Sequence, residues 1–326
     1  MGSRLWRAGI FLDLGDIRES PITKNSEKLW VRLGIFLFLA LTWPITRLPR
    51  TWSLFLGAWG GRLFYYLLKR RRQVTLNNLA MIQEAGALEP NLDLAKTARR
   101  TFANLGQTTL EGLYLLHQGV EFFQGHWEIL GQEIGLAALD LAHREKRGLI
   151  FLTGHIGNWE LSCQVLPIIF GFKAHTVGRT QGALSDALLS RLRTRGGHGF
   201  IYKDGGAGAM LKILRAGGVL GTLFDQSALV GGKGVPLDFM GRPALTTLGP
   251  FKLAAKTGAL IIPFFSRREG STHYFEIFPY LTPPARADND WLIQATQTLN
   301  NLLAGFIRKH PDQWMWGHRR WKGFER

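Results

Sequence analysis

Residues 148–167 read GLIFLTGHIGNWELSCQVLP. The apolar run from Gly148 to Leu152 is too short for a helix and is bounded by glycine, the signature of a buried strand. A turn carrying His155 follows, and Asn158 then stands where a helix N-cap belongs, with Glu160 in the first turn, where its charge suits the helix dipole. Residues five apart on one helix point about 140° away from each other. His155 and Glu160 therefore do not share a helix face. The expected arrangement puts His155 in the turn and folds the Glu160 carboxylate back onto the imidazole. A neutral histidine oriented by a carboxylate takes protons from hydroxyl groups near neutral pH.

Outward from this stretch, apolar runs of strand length recur at 127–130, 174–177, 200–202, 219–224, 260–265 and 274–277, with helical patterns filling most gaps. The alternation predicts an α/β fold: a mostly parallel central sheet flanked by helices on both faces, with an antiparallel element near its end. In such sheets ligands bind beyond the carboxyl ends of the strands, and His155, Arg179 and Asp225 all fall at such ends. Residues 92–116 read as an amphipathic helix. Thr246 and Thr247 are expected to cap a helix that ends at Gly258.

The chain of 326 residues carries 40 Lys and Arg against 24 Asp and Glu, a net charge of +16, with 11 Trp and 21 Phe. Such a surface attracts anions; nucleic acid, anionic lipid and an acidic carrier protein all qualify. The tryptophan content favours a membrane interface. The single cysteine excludes an internal disulfide, and the apolar neighbours of Cys163 mark it as a buried thiol and not a nucleophile. No G-x-S-x-G elbow is present, and Gly232-Lys233-Gly234 lacks the pattern of a phosphate loop. No metal-ligating cluster is visible.

Near the N-terminus, Leu29 to Leu48 offers about 20 residues, enough to span a bilayer if Arg32 and Arg47 reach the two faces. A second apolar run, 54–68, is interrupted by Arg62. The pair is expected to form one span plus an in-plane helix, or a shallow hairpin broken at Pro44 and Pro49. The domain division is an N-terminal tail (1–24), a hydrophobic membrane-anchoring helical segment (25–68) and a catalytic domain (69–326).

Five further stretches accompany GHIGNWE. LPRTWSLFLGAWGGRLFYYLLKRRRQVTLNNLAMI precedes it, and VGRTQGALSDALLSRLRTRGG, LKILRAGGVLGTLFDQ, GVPLDFMGRPALTTLGPFKLAAKTGALIIPFF and HPDQWMWGHRRWK follow in that order. Together they resemble the bacterial lipid A biosynthesis acyltransferases of the lauroyl and myristoyl type, within the lysophospholipid acyltransferase superfamily, whose H-x(4)-D/E motif appears here in its glutamate form. The resemblance runs from about residue 48 to residue 322. Met240 departs from it, because phenylalanine is frequent at that position.

That resemblance implies transfer of a fatty acyl chain from an acyl carrier protein or coenzyme A thioester to a hydroxyl of a glycolipid, a lipid A precursor first of all. A phosphatidylinositol mannoside or a lysophospholipid is the alternative acceptor. A basic membrane-attached binding protein without chemistry is the reading from another class. The implied catalytic pair is His155 as general base with Glu160, and the implied substrate-binding residues are Asn158, Arg179, Asp225, Gln226, Arg242 and Arg320. Arg179 would bind a phosphate or steady the oxyanion. The Trp and Arg residues of WMWGHRRWK would pack under the site and meet phosphate-bearing lipid, with His318 not catalytic. No cofactor, metal or nucleic acid is required. A monomer at the cytoplasmic face of the bacterial inner membrane is expected.

Overall fold

The computed structural model of the chain describes residues 29–228 and 234–324. The N-terminal tail assigned above and part of the Gly232-Lys233-Gly234 stretch lie outside these residues. Among the described residues four α-helices precede the first strand: α1 (Leu29–Thr42), α2 (Arg50–Leu67), α3 (Lys69–Glu84) and α4 (Leu94–Gln118). Strands and helices then alternate through β1 (Trp127–Leu130), α5 (Gln132–Arg144), β2 (Leu149–Thr153), α6 (Trp159–Phe170), β3 (Ala174–Gly178), α7 (Ala183–Arg193), β4 (Gly199–Tyr202), α8 (Ala207–Arg215) and β5 (Val219–Leu223). After these come β6 (Gly234–Phe239), β7 (Arg242–Thr247), α9 (Gly249–Thr257), β8 (Leu260–Glu269), β9 (Thr272–Ile277) and α10 (Asn289–Lys309).

Seven strands form one sheet in the order β1-β9-β8-β2-β5-β3-β4. The run β8-β2-β5-β3-β4 is parallel, β9 is antiparallel to β8, and β1 pairs with β9 in parallel. The predicted mostly parallel sheet with an antiparallel element is therefore present. Its layering follows from the period of two: along β2, Ile150 and Leu152 join one core while Leu149 and Phe151 join the other. Every residue of β2 is buried, as a strand covered on both faces requires. Asp93 and Asp288 cap α4 and α10 by accepting the amides of Lys96 and Trp291 at 2.8 Å each. Gly258 ends α9 in the left-handed region, as expected (φ 71°). Thr247 accepts the Gly249 amide at 3.2 Å, whereas Thr246 is engaged elsewhere and does not cap.

The β6–β7 hairpin lay unread in the sequence. Its turn passes through Met240 and Gly241, both at positive φ (58° and 78°). A methionine there hides the usual Asn-Gly or Asp-Gly signal.

Of the two N-terminal arrangements expected, the spanning one needs correction. Among the described residues no helix is long and apolar enough to cross a membrane. The described part of α1 ends at Thr42, and its 14 residues rise to about 21 Å, short of a hydrocarbon core of about 30 Å. The chain turns at Pro44 and Pro49, the two breaks of the alternative hairpin, and this elbow is pinned to α4, where the Tyr114 hydroxyl donates to the Ile45 and Leu48 carbonyls at 2.7 and 3.0 Å. α2 packs on α4 at backbone distance. A Cβ on Gly61 would lie 2.0 Å from the Phe102 carbonyl oxygen, and one on Gly57 would lie 2.7 Å from the Gln107 Cα. Gly60, on the same helix, has nothing within 4 Å of that position.

These distances separate two neighbouring glycines. Gly61→Ala should lower the thermal midpoint, at a cost of about 1–3 kcal/mol for the overpacked contact, whereas Gly60→Ala should leave it unchanged or raise it by helix propensity. Calorimetry of the two variants beside the parent reads the difference.

Candidate active site

β2 and β5 are neighbours in register, Thr153 opposite Leu223. Two residues beyond each stand His155 and Asp225, so the sheet delivers them side by side. His155 Nδ1 lies 2.7 Å from Asp225 Oδ1, and the His155 backbone amide donates to Oδ2 at 2.8 Å. The indole Nε1–H of Trp314 donates to the same Oδ2, also at 2.8 Å. Asp225 is only 2% exposed. Burial pushes its carboxyl up, but the charged imidazole and three hydrogen bonds outweigh that and hold it down at about 2. The carboxylate fixes the proton of a neutral imidazole on Nδ1 and leaves the Nε2 lone pair facing outward. There Gln226 Nε2 stands 3.2 Å away.

The carboxylate that orients His155 is therefore Asp225 and not Glu160. Glu160 does sit in the first turn of α6 and Asn158 does cap it, with Oδ1 accepting the Leu161 amide at 2.9 Å. The Glu160 oxygens, however, are taken by Arg193, at 2.5 and 3.0 Å, and by the Trp159 indole at 3.2 Å. Burial raises the Glu160 carboxyl and Arg193 more than reverses it, so it stays below its ordinary value. Its link to the imidazole is indirect: the Trp159 ring stands edge-on to the His155 ring, centroids 5.2 Å apart. Cys163, on the same helix, is pushed up to about 12, first by burial and then by Glu160. A thiol held so firmly protonated is no nucleophile.

The other expected site residues divide. Gln226 reaches the imidazole. Arg179 follows β3 at the same sheet edge, and Lys203 follows β4 beside it, since Gly178 pairs with Tyr202. Burial, then Arg179, lower the Lys203 ammonium below its ordinary value. Asn158 is fully buried with both amide atoms bonded, Nδ2 donating to Glu111 at 2.8 Å, so it supports the loop. Arg320 is also fully buried; it donates to the Leu245 carbonyl at 2.7 Å and the Thr246 hydroxyl at 2.6 Å, clamping the hairpin. Arg242 opens β7 at the hairpin turn, opposite Phe239. Trp314, Trp316 and Trp321 are all buried, which leaves no ring for stacking on a base.

A cleft of about 550 Å³ opens between α2 and α4, a volume in the range that accepts organic ligands. Leu56, Phe64, Leu68, Phe102, Leu105 and Leu113 give it apolar walls, and Gln226, His318 and Arg71 lie along it. The His318 imidazole is pushed down to about 4, mainly by burial, and is neutral at pH 7. Arg193, Lys203 and Glu111 were not foreseen, and of Trp314 only the packing under the site was expected, not its bond to Asp225. Each acts through a contact distant in sequence that local patterns do not encode.

The depressed Asp225 carboxyl makes a pH prediction. Its folded value lies below the unfolded one, so its stabilising contribution is complete above about pH 4 and disappears as the pH falls through about 2. Asp225→Asn should abolish that part of the acid limb while leaving the alkaline side unchanged. Urea unfolding of both proteins at a series of pH values reads it.

Known proteins match the chain over most of its length. The model of the family described as bacterial lipid A biosynthesis acyltransferase matches residues 22–323. The lipid A biosynthesis lauroyltransferase of Escherichia coli K12 is 25% identical over 303 residues, 90% of each chain. The palmitoleoyltransferase of the same organism is 23% identical over 299 residues, again 90% of each. A phosphatidylinositol mannoside acyltransferase of Mycobacterium tuberculosis is 27% identical over 187 residues, 55% of this chain and 56% of that one. With most of its length matched by the family model, the chain belongs to the bacterial lipid A biosynthesis acyltransferase family and is an O-acyltransferase.

Proposed function

We propose that this protein transfers a fatty acyl chain from an acyl thioester of carrier protein or coenzyme A to a hydroxyl of a lipid A precursor, at the cytoplasmic face of the bacterial inner membrane. The observation that carries the reading is His155, oriented through Nδ1 by Asp225 and presenting Nε2 beside Gln226 at the end of an apolar cleft. The acceptor hydroxyl replaces Gln226 at Nε2. As its oxygen attacks the thioester carbonyl carbon, its proton passes to Nε2, and Asp225 stabilises the imidazolium. Collapse of the tetrahedral intermediate breaks the C–S bond, and the thiolate takes up the proton. A thiol with a pKa near 8.5 is a good leaving group, so no second strong acid is needed. In this reading Arg179, which follows β3 at the same sheet edge, meets the oxyanion or a phosphate of either substrate.

Membrane contact is part of this reading. Among the described residues, all but four of the large exposed hydrophobic side chains lie between Leu29 and Leu68, among them Trp30, Phe36, Trp52, Phe55 and Trp59; the four are Leu130, Leu136, Ile168 and Ile169. Phe64 and Leu68 belong both to this surface and to the cleft, so a lipid chain can pass from one to the other. Helices too short to span but apolar on an exposed side lie in the interfacial plane, and Arg and Lys beside them favour anionic headgroups.

Transfer kinetics, product mass and vesicle flotation test this. His155→Ala and Asp225→Asn should each reduce acyl transfer by roughly 10²- to 10⁴-fold, whereas Glu160→Gln should leave the protonation-dependent limb of the kcat pH profile where it is. A product gaining one acyl chain by mass spectrometry identifies the acceptor, and normal transfer by a folded His155→Ala protein refutes the assignment. The parent chain should float with anionic vesicles, and Trp52→Ser/Phe55→Ser/Trp59→Ser should reduce flotation at unchanged thermal midpoint.

A further inference from the structure

Glu111, on α4, is 1% exposed and serves four partners. Arg268 of β8 donates to it at 2.6 Å, His273 of β9 lies at 2.9 Å, Arg50 at the start of α2 donates at 3.4 Å, and the Asn158 amide donates at 2.8 Å. Burial raises its carboxyl, but Arg268, His273 and Arg50 outweigh that and keep it charged well below the ordinary range. A buried carboxylate held by two guanidinium groups has little freedom to move. The strand and helix partners account for its charge. They do not account for the fourth contact, which leads into the loop that carries His155.

That loop is short. Asn158 uses its other amide atom to cap α6, so one side chain joins Glu111 to the start of the helix. Thr108, one helical turn before Glu111, donates to the Gly157 carbonyl at 3.2 Å and itself accepts from Arg268 at 3.2 Å. Gly157 has φ of 61°, and a Cβ there would lie 2.2 Å from the Ser266 carbonyl oxygen, so the loop lies tight against β8. The Gln313 side chain exchanges hydrogen bonds with the Arg268 backbone at 2.7 and 2.9 Å, and the Gln313 carbonyl accepts the Gly157 amide at 3.1 Å.

We propose that Glu111 is a positioning residue for the transfer reaction: through Asn158 it fixes the 155–158 loop and thereby holds the His155 ring in line with Asp225. This rests on the acyl-transfer reading of His155. Asp225 sets the ring's tautomer; Glu111 sets where the ring stands. Displacing a reacting group by about an ångström costs up to about a hundredfold in rate, so loosening this support should lower kcat while leaving KM for the thioester nearly unchanged.

The test uses the full chain and three variants. Asn158→Ser keeps a helix cap but cannot reach Glu111. Glu111→Gln removes the charge and leaves Arg50 and Arg268 without their anion, so its folding is checked by circular dichroism, and Asn158→Ser stands alone if it fails. We expect a tenfold to hundredfold lower kcat in each single variant, KM within about threefold of the parent, and a double variant no worse than the poorer single one. Independently of any substrate, the rate at which diethyl pyrocarbonate modifies His155, read by peptide mass spectrometry against exposed His143, should rise several-fold. Parental kcat and a parental modification rate in Asn158→Ser overturn the proposal, as do fully multiplicative losses in the double variant. A parent that transfers no acyl chain counts against the function reading instead, and the modification rates then decide the positioning role by themselves.

Discussion

Everything at the site depends on two parallel strands lying next to each other in register. β2 and β5 are 70 residues apart in sequence at the positions that matter, His155 and Asp225, yet the ladder places Thr153 against Leu223 and so sets the two polar residues shoulder to shoulder. A carboxylate buried to this extent in an apolar layer would ordinarily take up a proton. The imidazole, its backbone amide and the Trp314 indole supply the interactions that keep it ionised. The same bonds fix the tautomer that leaves a basic nitrogen outward. Folding and the proposed chemistry thus rest on one contact.

Two carboxylates surround that contact without sharing its role. Glu160 is bound to Arg193 and to the Trp159 indole, and it shapes the apolar wall behind the imidazole. Glu111 lies below the loop and connects α2, α4, β8 and β9 to it. A motif written as histidine and glutamate five residues apart marks the correct turn. It does not say which acid the ring touches, because the ring's partner comes from a neighbouring strand.

The sequence made legible whatever is encoded locally. The strands appear because apolar runs of five or so residues are bounded by glycine, and the caps at Asn158 and Gly258 because short-range hydrogen bonding selects those residues. Asp225, Gln226 and Arg179 stood out because polar groups at the ends of apolar strands need a partner or a job. Strand order did not stand out: β3 and β4 intervene in the chain between β2 and β5 but lie beyond β5 in the sheet. For that reason the ring's carboxylate partner was expected to be Glu160, whereas Nδ1 bonds Asp225. The buried partners of Arg320 and Asn158 stayed hidden for a related reason, since a polar residue in a family motif looks the same whether it meets a ligand or satisfies buried carbonyls and carboxylates. The apolar N-terminal run looked long enough to cross a bilayer because its composition continues past the prolines that fold it back.

The downstream segment 313–321 has a consequence for the order in which the molecule becomes competent. Trp314 bonds Asp225, Gln313 receives the Gly157 amide, and Met315 donates its amide to the His155 carbonyl at 3.0 Å. Every strand of the seven-stranded sheet precedes residue 313 in the chain, so the ladder that pairs His155 with Asp225 can form before these bonds do. The pair then still lacks the Trp314 indole and the backbone bonds to its loop. Assembly of the sheet and bracing of the ring are thus separable events, and the second waits for a segment that contributes no strand to the sheet.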